Sequence, residues 1–314
     1  MRRLSENVAL RRGDGVQAMQ STTLTLGPVL FNWPVDRWRD FYFRIADEAP
    51  VDHVCVGEVV CSKRQVFFAD ILPNVIERLE RAGKEVLLSS LALPTLKREA
   101  RHGAELVNGR HMVEVNDVSL LPAVAGRPHA IGPFVNVYNE GTLGFLASRG
   151  ARLVALPPEL PRSSIEAIAT GTPDVTIEVW AFGRTPLAIS ARCYHARVHG
   201  HSKDSCQFVC DQDADGMAVE TLDNEPFLVV NGVQTLSYAF CNLLREANDL
   251  VDIGVSSLRL SPHMYDMVAI AHLFRDVLDG RRDADEAFLR SRDVCPSAAY
   301  SNGFFHRSAG ALYI

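Results

Sequence analysis

The 314-residue sequence predicts an α/β fold and, within that class, a (β/α)8 barrel-like architecture with a Cys-rich insertion between strands 7 and 8. Three observations carry this expectation. Short, mostly apolar runs alternate with helical segments about eight times, and strands of that kind are parallel and buried on both faces. The first strand lacks the G-x-G-x-x-G turn that a nucleotide-binding open sheet, the competing arrangement, would show; Gly27 stands inside the run without that context. The rhythm then breaks from Gly183 to Asn248, where Cys, His and charged residues cluster.

Taken in order, Thr23 to Phe31 has the β-branched and apolar content of a first strand, and Val35 to Ala49 follows with helical periodicity. His53 to Gly57 reads as a short second strand. Val66 to Arg81 is an amphipathic helix with Gly83 placed to end it. Lys84 to Ser89 is the third strand, and His111 to Val115, Gly132 to Val137, Ala151 to Leu156 and Val175 to Ala181 supply the next four. Helices are expected at Leu93 to Leu106, Glu140 to Arg149 and Ser163 to Ala169. Ile253 to Leu260 is the last strand, ahead of a helix from Pro262 to Asp279. Inside the insertion, Phe227 to Val230 and Val233 to Tyr238 flank Asn231-Gly232, a residue pair that favours two-residue hairpin turns. Loops at the C-terminal ends of barrel strands carry the chemistry of such folds, so function is expected at the insertion.

Composition narrows the classes. Hydrophobic residues make up 47% and charged residues 22%, which excludes a disordered or fibrous chain. A formal net charge of -6 argues against a nucleic-acid surface. No run approaches the roughly 18 to 20 apolar residues of a membrane span. Met1 to Gln20 is polar and arginine-bearing and lacks the apolar segment of a secretory signal. Residues 1–20 therefore read as a flexible extension, residues 21–314 as a single barrel-like domain with the insertion at about 183–250, and the cytoplasm as the expected compartment. There, seven cysteines point to metal ligands, catalysis or core filling rather than disulfides.

The informative constellation is Cys193-x12-Cys206-x3-Cys210, three thiols within 18 residues. Cys61, in GEVVCSKR just beyond the second strand, is the best fourth ligand, because a barrel puts it on the face of the insertion. Cys55 lies inside that strand, and Cys55, Cys241 and Cys295 read as structural. Zinc and an iron–sulfur cluster both accept four thiolates; a wide gap with one distant ligand suits the bulkier cluster. An anionic cluster needs N–H donors and cations, which Lys63, Arg64, Arg192, Arg197 and Lys203 flank the cysteines to supply; solvated loop charges are the competing reading. His195 and His199 have the i, i+4 spacing of a zinc-binding pair, but with no H-E-x-x-H pattern they read, like His201, as loop histidines near the cluster. No G-x-S-x-G elbow or P-loop is present. Glu58 and Glu178 are the weak candidates for a catalytic carboxylate pair.

The stretch from Glu178 to Cys193 resembles the collagenase-like peptidase signature E-x-F-x-H-G followed by S-G-x-C. Glu178, Gly183, Ser190, Arg192 and Cys193 fall on it; Trp180, Phe182 and Ala191 stand where Phe, His and Gly are usual, and Pro186 stands where many members have a further Cys. Over roughly residues 20 to 280 the chain is more similar to the ubiquinone-biosynthesis branch of that family, through Gly57 to Arg64, the Cys193, Cys206 and Cys210 spacing, VNVYN at Val135 to Asn139 and LPPEL at Leu156 to Leu160. That resemblance implies a barrel-like fold and a 4Fe–4S cluster on Cys61, Cys193, Cys206 and Cys210. It further implies a heterodimer with the sister protein UbiU, association with the lipid-binding protein UbiT, and oxygen-independent hydroxylation of a ubiquinone precursor, with prephenate as an associated hydroxyl donor. Two other expectations stand beside it: a collagenase-like peptidase or hydrolase using Glu178, and a zinc-stabilised binding protein without chemistry.

Overall fold

Eight parallel strands close on themselves. The structure, a computed structural model, describes residues 22–172 and 174–314; the extension expected over residues 1–20 lies outside the described residues. Strands β1 (Thr23–Leu26), β2 (His53–Val56), β3 (Glu85–Ser89), β4 (Met112–Val115), β5 (His129–Ile131), β6 (Ala151–Ala155) and β7 (Thr176–Ile189) are neighbours in sequence order. Three antiparallel strands follow, β8 (Met217–Glu220), β9 (Pro226–Asn231) and β10 (Gln234–Asn242), before β11 (Ser257–Leu260) returns to the barrel. It pairs with β7 on one side and β1 on the other, with Ser257 opposite Glu178 and Thr23, which closes the ring. A two-residue strand, β12 (Tyr300–Ser301), pairs with β10.

Helices cover the outside because their apolar residues recur on one face. In α1 (Val35–Glu48), Trp38, Tyr42 and Ile45 are buried against the strands, while Arg39 and Arg44 pair with Asp36 and Glu48 in water. The remaining helices are α2 (Gln65–Phe68), α3 (Leu72–Arg81), α4 (Lys97–Val107), α5 (Leu121–Val124), α6 (Glu140–Ser148), α7 (Arg162–Gly171), α8 (Tyr194–Val198), α9 (Ala247–Asp252), α10 (Met267–Leu278) and α11 (Ala284–Val294). Among the described residues, no helix is long and apolar enough to cross a membrane.

The barrel interior divides into an apolar and a charged layer. Cys55, Leu87, Ala130 and Leu153 pack together inside it, with Met112 against them. Beside them Arg259 reaches Glu114 at 2.6 Å and Glu178 at 2.8 Å, all three side chains at most 3% exposed. Ser257 donates to Glu178 and Ser89 to Glu114, at 3.1 and 2.6 Å. Burying three ionised groups is tolerable only because each is paired and hydrogen-bonded.

Several expected elements shift. The fifth strand is His129–Ile131 and not Gly132 to Val137; that apolar run instead forms a 3-10 turn over Pro133–Val135, ended by Asn136 in the left-handed conformation at φ +62°. β7 continues past the expected Ala181 and leaves the barrel to pair with β10. The bend falls at Gly183, whose φ is +115°; a Cβ there would lie 2.6 Å from Cβ of Ser261. The hairpin is present, but Asn231 pairs with Gln234, so the two-residue loop is Gly232-Val233, with glycine at the first position as a II′ turn requires. The helix expected from Pro262 begins at Met267, where the Asp266 carboxylate accepts the Ala269 amide. α11, capped by Asp283, was not among the expected helices.

Candidate metal centre

Cys61, Cys193, Cys206 and Cys210 line one pocket of about 360 Å³, together with Arg64, His195, Lys203 and Phe208. Each thiol is delivered by a defined turn. Gly57, at φ +128°, redirects the chain after β2, and a Cβ there would lie 2.8 Å from the Ser89 carbonyl oxygen. The buried Glu58 carboxylate then accepts the amides of Val60 at 2.7 Å and Cys61 at 2.8 Å, which holds Cys61 at the head of a 3-10 turn over Ser62–Arg64. Cys193 precedes α8, and its Sγ accepts the Ala196 amide at 3.4 Å. Between Cys206 and Cys210, Gln207 and Phe208 both take positive φ, +48° and +57°. Two successive non-glycine residues in that region store strain of the kind functional loops hold.

Further donors reach the sulfurs. Lys63 Nζ lies 3.3 Å from Cys206 Sγ and also donates to the carbonyls of Lys203 and Asp204 at 3.0 and 3.1 Å. Asn32 Nδ2 lies 3.5 Å from Cys210 Sγ. Arg64 is 2% exposed. Its guanidinium donates to the Leu30 carbonyl at 2.8 Å and to Asn231 Oδ1 at 2.9 Å, and its Nε has no partner. Among the described residues, no carboxylate forms an ion pair with it within 4.0 Å; the Glu58 carboxylate and the Cys210 and Cys61 sulfurs are the groups whose negative charge favours its charged form. Of the other flanking cations, Lys203 lines the pocket, while Arg192 and Arg197 are exposed.

The thiols differ by environment. All seven cysteines are unpaired. Burial pushes the Cys61 and Cys193 thiols above the ordinary range, so an incoming metal or cluster must displace their protons. Cys55 sits in the barrel interior, Cys241 donates to the Trp180 carbonyl oxygen and Cys295 is buried after α11; burial raises all three, Cys295 to about 11. Geometry also bears on the type of centre. Zinc with bonds of about 2.3 Å to sulfur holds tetrahedral thiolates about 3.8 Å apart. Among the described residues, no three cysteine sulfurs lie within 4.8 Å of one another, and the only such triad of metal-ligating groups is His195, His199 and Asp213.

Both candidate carboxylates are held. Glu178 is 0% exposed, with one oxygen on Arg259 and the other on Ser257. Glu58 spends its carboxylate on the turn that presents Cys61; burial raises its pKa. His195 is buried, 2.8 Å from Asp213, and burial lowers its pKa. Its ring stacks on His199 at 5.7 Å, and His201 stays outside that triad. Sequence reasoning missed Asn32, Asn231 and Glu114, whose partners lie far along the chain; only Glu114, a carboxylate inside the apolar strand MVEV, left a local signal.

A larger opening of about 790 Å³ lies at the C-terminal mouth of the barrel, among Leu93, Phe134, Asn136, Tyr138, Glu159 and Leu187. Asn136 holds its strained backbone there, and the Tyr138 hydroxyl donates to Glu159.

In overall shape the chain is similar to N-acetylneuraminate lyase from Fusobacterium nucleatum complexed with pyruvate, at 10% identity over 86% of this chain and 77% of that one, with a TM-score of 0.46. It is also similar to dihydrodipicolinate synthase from Agrobacterium tumefaciens, at 13% identity over 85% and 78% of the two chains, with a TM-score of 0.35. Residues 41–313 match the model of peptidase family U32, and the chain belongs to that family.

Proposed function

We propose that this chain is the iron–sulfur subunit of an oxygen-independent hydroxylase acting on a ubiquinone precursor, the role of UbiV in the ubiquinone-biosynthesis branch of its family. In this reading Cys61, Cys193, Cys206 and Cys210 hold a 4Fe–4S cluster, UbiU is the heterodimer partner, UbiT presents the lipid, and prephenate is the hydroxyl donor. The observation that carries it is Arg64. A guanidinium buried this deeply without an ion-paired carboxylate is costly unless anions stand nearby, and its surroundings offer the Glu58 carboxylate together with the sulfurs of Cys210 and Cys61.

Held by Cys61, Cys193, Cys206 and Cys210, such a cluster would supply one-electron transfer rather than a site for substrate. The chain's own residues tune and hold it. Lys63, Asn32 and the Ala196 amide donate toward sulfur, and Arg64 and Lys203 add positive charge, which together favour the reduced form. Glu58 positions the Cys61 turn. The barrel mouth, with aromatic walls and the Tyr138–Glu159 pair, suits a phenolic ring. The test is anaerobic co-expression with UbiU, followed by co-purification and conversion of a ubiquinone precursor without oxygen. Co-purification with hydroxylated product supports the role; a chain that binds no UbiU and yields no product overturns it.

Family membership favours one second reading, peptide hydrolysis. It requires a carboxylate within reach of substrate, and Glu178 is enclosed by Arg259 and Ser257. Peptide turnover by the purified chain, abolished in Glu178→Ala, would establish it.

A further inference from the structure

His195, His199 and Asp213 lie outside the thiol set, and the proposed function leaves them unused. We propose that they form a second metal site, binding one divalent transition ion that prefers imidazole and carboxylate ligands, such as Zn2+ or Co2+. One ligand atom from each lies within 4.8 Å of the others, and His195 Nε2 stands 2.8 Å from Asp213 Oδ2. Around an ion with bonds of about 2.0–2.2 Å, neighbouring ligand atoms are about 3.0–3.5 Å apart, so the triad needs to contract by no more than about 2 Å.

A hydrogen-bonded His–Asp pair alone would not need the third group. His199, the C-cap of α8, follows His195 in that helix by four residues, and the two rings are nearly parallel, 10° apart with centroids at 5.7 Å. Two imidazole edges thus face one carboxylate. His199 is exposed and Asp213 half-buried, which leaves the remaining coordination positions open to water. The chemistry of the set, two nitrogens and one oxygen, matches borderline divalent ions better than Mg2+ or Ca2+.

The site ties together the two arms that carry the cysteines. His195 follows Cys193 by two residues, and Asp213 follows Cys210 by three. With Nε2 turned to Asp213, the Nδ1 of His195 is left buried without a partner, in a side chain that lines the thiol pocket. An ion on Nε2 fixes the ring proton on Nδ1.

The experiment titrates Co2+ into anaerobically purified full-length chain whose iron has been counted, and repeats it on His199→Ala and Asp213→Asn. We expect one Co2+ per chain in addition to the iron, without sulfur-to-cobalt charge transfer, and binding weakened by at least about tenfold in both variants at unchanged iron content. Three results overturn the proposal: no Co2+ uptake, uptake unaffected by either variant, or a thiolate charge-transfer band that Cys206→Ala abolishes and His199→Ala does not. A chain that carries no iron yet binds Co2+ in a His199-dependent way supports this site while refuting the cluster.

Discussion

Replacing Arg64 by Met separates the chain with its cluster from the chain without it. The guanidinium donates to two neutral acceptors, Leu30 O and Asn231 Oδ1. Leu30 O keeps its bond from Asn231 Nδ2 at 2.8 Å, so Arg64→Met orphans a single buried acceptor, Asn231 Oδ1. That costs about 1–3 kcal/mol. Removing a buried cation that has no ion-paired carboxylate returns a similar amount, so the cluster-free fold changes little in stability. The loaded chain behaves differently. A unit charge at about 6 Å in an effective dielectric of about 20 interacts with one negative charge by about 3 kcal/mol. Losing it weakens cluster retention about 100-fold. The same energy lowers the one-electron potential by about 120 mV, because the added electron loses its nearest cation. Anaerobic chelator challenge and a spectroscopic redox titration read these two quantities, with thermal unfolding of the cluster-free protein as the control. Unchanged retention and potential in Arg64→Met would refute the assignment of Arg64 as the counter-charge.

Three further outcomes follow from the fold. Arg259→Met leaves Glu114 and Glu178 buried without their cation and destabilises the barrel by about 3–5 kcal/mol, read as a fall in the urea midpoint; wild-type stability would contradict the buried network. Gly183→Ala forces a side chain into a left-handed position against Ser261 and costs more than about 1 kcal/mol, which thermal unfolding measures. His129 is buried with Nδ1 on the Arg127 carbonyl and no partner at Nε2, and burial holds its pKa below the ordinary 6.5. The unfolded chain binds this proton more readily, so its share of stability is intact above about pH 6.5 and is lost as pH falls; His129→Gln flattens that slope, and an unaltered slope would rule His129 out.

The parts of the fold that were legible were those whose signal is local. β2, β3, β4, β6 and the body of α1 and α6 lie where alternating composition placed them, because short apolar strands and amphipathic helices write their periods into consecutive residues. β5 was misplaced since only three residues pair there, and the stronger apolar run beyond it packs as a turn. Val66 to Arg81 splits into α2 and α3, which apolar spacing alone does not reveal. At the site, thiol spacing singled out Cys193, Cys206 and Cys210, and the place of Cys61 just beyond the second strand added the fourth; all four line one pocket. What spacing could not convey is that Arg64 is buried and Lys63 is not. That distinction depends on Leu30 and Asn231, 34 and 167 residues away, meeting the guanidinium in space. Glu58 stood out as a catalytic companion to Glu178, but its work on the Cys61 turn follows from backbone geometry that no motif encodes.

The central claim is that the four thiols of this pocket share one iron–sulfur cluster. Iron and acid-labile sulfide, counted on the anaerobically isolated chain and on single Cys→Ala variants, test it most directly. The account predicts both elements at the stoichiometry of a 4Fe–4S cluster, lost in the Cys61, Cys193, Cys206 and Cys210 variants and kept in those of Cys55, Cys241 and Cys295. Stoichiometric zinc without iron, or a full cluster in Cys61→Ala, would contradict it.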